Sequence, residues 1–214
     1  TDVHPAEHTC RLSGRPPTYH RELKPGYPGP MTPIRFHFDF ISPYAYLGWC
    51  QIHALAASCR TTVEPSPVLF AALLNHHGHK GPAEIEPKRV YVLKDTARRA
   101  RLFGVPFEPP PSHPFNPLLA LRAVLAAPEA SRRAMIDGLF AATWGTPSTA
   151  GGPKRGVDSA ETVAQIATDV GLDADDLLAR AQDPAVKANL RERTELAIRA
   201  GVFGVPTVQV GDEL

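Results

Sequence analysis

The strongest constraint on this chain is a strand that runs, with no loop between, into a helix start. Ile34-Arg35-Phe36-His37-Phe38-Asp39-Phe40-Ile41 alternates large apolar residues with polar ones and then becomes apolar, the period of a half-buried strand. Ser42-Pro43 follows at once. A serine oxygen takes up an orphan N–H at the N-cap, and proline has no N–H to lose in the first helical position. Tyr44, Leu47, Gly48, Ile52 and Leu55 recur at helical spacing, which predicts a helix to about Ser58. Thr61 to Glu64 is short and β-prone, the second strand of a parallel pair.

The middle of the chain reads as helices. They cover Val68 to Asn75, then Pro87 to Phe103 closed by Gly104 and Pro106. Asn116-Pro117 supplies another N-cap and first-position proline, opening a helix to about Ala127. Glu129 to Trp144 follows, then a Gly/Pro/Ser/Thr loop from Gly145 to Gly156. A helix over 160–170 is capped by Asp158 or Ser159, and further helices cover Ala174 to Gln182 and Pro184 to Ala200. Gly204-Val205-Pro206-Thr207-Val208-Gln209-Val210 alternates as a last strand, with Gly211-Asp212 as its turn. The strand that should return from that turn is absent from the sequence.

Residues 1–31 carry no such period. Six of the 23 prolines precede Met31, and the only aliphatics are Val3, Leu12 and Leu23, so no face could be buried and a disordered leader is expected. Met31 stands just before the first strand and reads as a natural start.

Composition narrows function by exclusion. With 23 basic and 22 acidic residues the net charge is +1, so no steering toward nucleic acid or a membrane surface is expected. No apolar run approaches the roughly 18 residues of a membrane span. Three cysteines make no disulfide framework, and no hydrophobic signal segment opens the chain, so a reducing, cytoplasmic setting is expected. Cys50 and Cys59 sit on opposite sides of one helix and cannot bridge; the reading for both is small, buried and apolar.

Two segments carry chemistry. Ser42 lies where unpaired N–H groups and the helix dipole favour an anion. Its hydroxyl can cap the helix, and it can also donate to a bound thiolate and help lower that thiol's pKa. Gly201-Val202-Phe203-Gly204-Val205-Pro206-Thr207 places a proline at a strand start. A cis Val205–Pro206 bond there would leave the Val205 N–H and C=O open to an extended peptide. A trans proline opening an edge strand is the simpler alternative.

Together these segments resemble the DsbA-like thioredoxin-fold proteins, and within them the 2-hydroxychromene-2-carboxylate isomerases and kappa-class glutathione transferases. Leu73 to Ile85, Pro87-Lys88-Arg89 and His113 to Arg122 agree with the same pattern in order and spacing. The resemblance spans about residues 33 to 214. It implies a thioredoxin-like α/β fold, with 32–67 and 183–214 as the thioredoxin-like part and 68–182 as an all-helical insertion. It also implies that the chain is C-terminally truncated, because such proteins continue into a Phe-Trp-Gly segment, an Asp-Arg pair and a last helix. Glutathione is the implied cofactor, with its thiol on Ser42 and its backbone on Val205 beside cis-Pro206. His79 falls roughly where kappa-class relatives carry an asparagine near glutathione.

The implied substrate is a small aromatic carboxylate. Lys88 and Arg89 are candidates for its negative charge, set against the commoner reading of a solvated basic face. Asn116 is a helix cap that also borders the implied substrate pocket. His76, His77 and His79 do not converge on one helix face, so no metal site is assigned. Trp49 and Trp144 read as core. The implied reaction is glutathione-dependent isomerisation of 2-hydroxychromene-2-carboxylate in naphthalene-type catabolism. A kappa-like transferase or peroxidase is the first rival. A DsbA-like dithiol oxidoreductase is set back by the absence of thiols in Ser42-Pro43-Tyr44-Ala45, and a non-catalytic thiol-peptide binding module is a further alternative. The relatives are dimers, which makes a homodimer compatible with the resemblance; the sequence itself is silent on assembly.

Overall fold

A computed structural model describes residues 32–145 and 156–214. The leader reading, Cys10 and most of the Gly145–Gly156 loop reading lie outside them. Strand β1 (Ile34–Phe38) leads into helix α1 (Pro43–Ser58) and strand β2 (Val63–Pro67). Next come α2 (Phe70–His77), a 3-10 turn (Pro82–Glu84), α3 (Glu86–Phe103), α4 (Leu118–Ala126) and α5 (Glu129–Trp144). The chain continues through α6 (Ala160–Asp169), α7 (Ala174–Ala181) and α8 (Pro184–Arg199) to strand β3 (Thr207–Val210).

The strand order is β2-β1-β3. β2 pairs parallel with β1, Ile34 facing Val63, and β3 pairs antiparallel, Ile34 facing Val210. This is the expected thioredoxin-like arrangement: a parallel pair joined by a helix, a helical segment, and an antiparallel strand. β2 runs later than the sequence suggests and takes in Pro65 and Pro67; an edge strand tolerates prolines because one side of it has no ladder to complete. Helix α4 begins one residue later than expected. Pro117 occupies the cap position, and the Asn116 side chain accepts the Leu118 N–H at 3.0 Å. Ser159 stands at the cap of α6 without a side-chain cap bond.

Helix α1 lies against the β1 face that carries Phe36. A Cβ on Gly48 would meet the Phe36 ring at 3.1 Å, so this glycine sets how closely helix and strand approach. Phe36, Phe38, Phe40, Trp49 and Phe140 form one buried aromatic cluster, with Phe40 and Phe140 centroids 4.8 Å apart. Trp49 and Trp144 are core residues, as read. Leu55, read at the helical spacing of the apolar residues, is 53% exposed; the covered face runs through Ala45, Trp49, Ile52 and Ala56. Cys50 and Cys59 are in no disulfide and are only half-buried, which corrects their reading as buried residues. His37 is buried as well, because α8 covers the sheet face opposite α1 and faces the Arg35 and His37 side of β1. No described helix is long and apolar enough to cross a membrane.

Candidate functional site

Three residues turn the chain from the end of β1 into α1. Ser42 then takes extended backbone angles, φ −95° and ψ 115°, as the N-cap. Its Oγ accepts the Ala45 N–H at 3.2 Å, and the same hydroxyl donates to the Val205 carbonyl at 3.2 Å. The cap role and the link to the second segment are therefore both made by one side chain, which is only 7% exposed. The Val205–Pro206 bond is cis. The Val205 carbonyl is thus engaged rather than open, while its N–H makes no hydrogen bond among the described residues.

Ser42 and Val205 border a cavity of about 460 Å³. Its walls are largely apolar, built from α2, α3 and the loop that precedes α4. Arg89 and Asn116 reach the same cavity, so four of the residues singled out in the sequence meet in one place. Lys88 is exposed on the first turn of α3 and does not line it. His79 is exposed beyond α2, its ring 6.2 Å from that of His77. Pro206 lies behind the wall, its ring 3.6 Å from where a Cβ on Gly48 would stand. Among the described residues no three His, Cys, Asp or Glu side chains assemble as metal ligands.

Three wall residues were given no site role from the sequence. Asp39 is fully buried, and its two oxygens accept the N–H groups of Ile41 at 3.2 Å and Phe70 at 2.9 Å. It thereby fixes both the turn before Ser42 and the start of α2. Burial pushes its carboxyl up to about 7, against the pull of the Phe70, Ile41 and Phe40 N–H groups. An acid set between Phe38 and Phe40 was the available signal. His113 donates from Nε2 to the Ile41 carbonyl at 2.9 Å and sits edge-on to Trp144 at 5.3 Å. Burial lowers its pKa, against the pull of the bond to the Ile41 carbonyl. Its peptide bond to Pro114 is also cis. Tyr44 donates to Asp95 at 2.8 Å, and Asp95 also holds Arg99 at 2.6 Å, tying the first turn of α1 to α3. Burial, with the Asp95 bond next, pushes the Tyr44 hydroxyl up to about 12.

Asp39 makes stability depend on pH in a defined direction. Its folded pKa lies above the unfolded 3.8, so in the interval between them the folded state holds a proton the unfolded state has released. Stability attributable to this group is full below the lower value and is lost as pH rises toward about 7. Denaturant unfolding from pH 4 to 8 should show a fall that is shallower in Asp39→Asn, which cannot ionise. Equal slopes in the two proteins would remove Asp39 as the source.

Comparison with known proteins places this geometry. Residues 33–214 match the family model of the DSBA-like thioredoxin domain. The chain is 28% identical over 185 residues to glutathione S-transferase kappa 2 of Caenorhabditis elegans, covering 84% of this chain and 81% of that protein. It is 29% identical over 185 residues to a 2-hydroxychromene-2-carboxylate isomerase of Sphingobium xenophagum, covering 85% and 90%. The solved structure of a selenomethionine 2-hydroxychromene-2-carboxylate isomerase superposes with a TM-score of 0.75 at 26% identity, covering 85% of this chain and 86% of that one.

Proposed function

This chain belongs to the DSBA-like thioredoxin-domain family, and from that membership we propose that it isomerises 2-hydroxychromene-2-carboxylate to trans-o-hydroxybenzylidenepyruvate with glutathione as cofactor. One observation carries the reading. A serine, not a cysteine, caps α1 and reaches across to the Val205 carbonyl at the edge of an apolar cavity. A dithiol exchanger needs a thiol at that position, and Ser42-Pro43-Tyr44-Ala45 has none.

The residues present fit the cysteinyl part of glutathione. Val205, whose N–H makes no hydrogen bond among the described residues, lines the same cavity as the Ser42 hydroxyl. Bound beside Ser42 and Val205, glutathione would supply a thiolate nucleophile, a chemistry that requires no net oxidation. The chain's own contribution is electrostatic. The N-terminus of α1 favours negative charge beside Ser42, and the Ser42 hydroxyl can turn its single proton from the Val205 carbonyl to a thiolate. Arg89, which also lines the cavity, offers the substrate carboxylate a charged partner, with Asn116 as a neutral one. His79 and Lys88, outside the wall, would serve only parts of a ligand that extend past it.

The test is an absorbance assay on the chromene carboxylate. Isomerisation that requires added glutathione is the expected result. No turnover with glutathione present, or an equal rate without it, would overturn the reading. Kappa-like transferase or peroxidase chemistry at the same site is the second reading, favoured by the comparable identity to the Caenorhabditis protein; conjugation of an electrophile in place of isomerisation would select it.

A further inference from the structure

A second cleft, of about 440 Å³, lies between α8 and the sheet face that carries Arg35 and His37. A helix packed on a sheet normally closes an apolar seam. Here all three strands turn polar side chains toward the helix: Arg35 and His37 from β1, Glu64 and Ser66 from β2, Gln209 from β3. Helix α8 answers with Asn189, Glu192 and Arg193.

Most of these groups satisfy one another. Arg35 pairs with Glu64 at 3.2 Å. Gln209 donates its amide to the Gly211 carbonyl at 2.9 Å, which leaves its oxygen to accept His37 Nε2–H at 3.0 Å. Arg193 Nε donates to Asn189 at 2.9 Å.

What is left over is specific. A guanidinium carries five N–H donors, yet the half-buried Arg193 uses only Nε, and no described carboxylate forms an ion pair with it. Burial, and after it the repulsion of Arg132, lower its pKa; the attraction of Glu64 opposes them and exceeds the repulsion of Arg35, with Glu192 adding least. Ser66 is 4% exposed and its hydroxyl makes no hydrogen bond among the described residues. His37 Nδ1 is also buried without a partner, but with the proton on Nε2 it is an acceptor and offers an anion no bond. The unused guanidinium N–H groups of Arg193 and the Ser66 hydroxyl are the donors that a bound acceptor would satisfy.

We propose that this cleft is a second ligand site, separate from the Ser42 cavity, which takes a small oxyanion on the free fork of Arg193 with the Ser66 hydroxyl as a further donor. A planar guanidinium fork matches a carboxylate or a phosphate in two parallel bonds, and both are oxyanions of this class. The acids of the cleft do not forbid it, because Glu64 is already held by Arg35 and Glu192 is exposed.

Calorimetric titration of the full chain with inorganic phosphate, and separately with malonate, tests the site at low ionic strength. Saturable one-to-one binding of at least one probe is expected, and the responding arm identifies which oxyanion the cleft prefers. Arg193→Gln should weaken that binding about tenfold or more, the loss of a charge-assisted bond. Ser66→Ala should weaken it several-fold and decides the matter if Arg193→Gln fails to fold. Arg89→Gln, in the other cavity, should leave it unchanged. Absence of saturable binding by either probe, binding indifferent to Ser66→Ala and to a folded Arg193→Gln, or binding lost in Arg89→Gln overturns the assignment. The isomerase reading rests on the Ser42 cavity, which lies past the ends of β1 and β2, and is tested by its own assay, so failure of oxyanion binding in this cleft leaves it standing.

Discussion

Ser42→Ala should slow glutathione-dependent isomerisation by roughly 10- to 150-fold, the rate equivalent of one charge-assisted hydrogen bond of ~1.5–3 kcal/mol. The hydroxyl has one proton and now gives it to the Val205 carbonyl at 3.2 Å. That bond is long for O–H···O and easily exchanged for a stronger one to an anion. Removing the hydroxyl leaves a thiolate facing helix N–H groups alone, so the pKa of bound glutathione should rise. The same change removes the cap bond to the Ala45 N–H, at a cost of about 1 kcal/mol in stability. Ser42→Thr restores a hydroxyl and should recover most of the rate. The readout that separates chemistry from capping is the thiolate absorbance titrated against pH. If Ser42→Ala lowers thermal stability but leaves both the thiol pKa and the rate unchanged, Ser42 is a cap and nothing more.

Much of the site's frame was legible because it is local. Ser42-Pro43 marks a helix start by the chemistry of one cap and one missing N–H, and α1 begins where that pair says. The αL glycine Gly104 ends α3 for an equally local reason. The Val205–Pro206 bond is cis as the family resemblance implied, whereas its own short segment left a trans proline open. What was not legible depends on distant partners. Leu55 fits the helical period yet is 53% exposed, while His37 fits the polar phase of β1 yet is covered by α8. Asp39 gains its role from the start of α2, some thirty residues away in sequence. His113 gains its role from the turn before Ser42. Periodicity records which face a residue occupies. It does not record what lies opposite, and the cavity walls are made of such opposite pairs.

Trp144→Ala should be the most destabilising single change in the described structure, by about 3–5 kcal/mol. Trp144 is fully buried at the end of α5. Its Nε1–H donates to the Phe40 carbonyl at 2.7 Å, and its ring stacks on Phe107 with centroids 6.0 Å apart and planes 5° from parallel. Two costs therefore combine: an indole-sized void among rings that cannot collapse to fill it, and a buried carbonyl left without its donor. Trp144→Phe keeps most of the ring and loses the donor, so it should cost less than Trp144→Ala. The change should also reach the site. Trp144 meets the His113 ring at 5.3 Å, and His113 holds the Ile41 carbonyl one residue before Ser42. A loosened His113 lets the turn before α1 relax, so the residual folded fraction should show a raised KM for the chromene carboxylate even where glutathione affinity is kept. Denaturant titration measures the first effect through a lower midpoint at an unchanged slope. A loss below about 1 kcal/mol would mean that the neighbouring rings close the void, and that α5 is not what holds the turn in place.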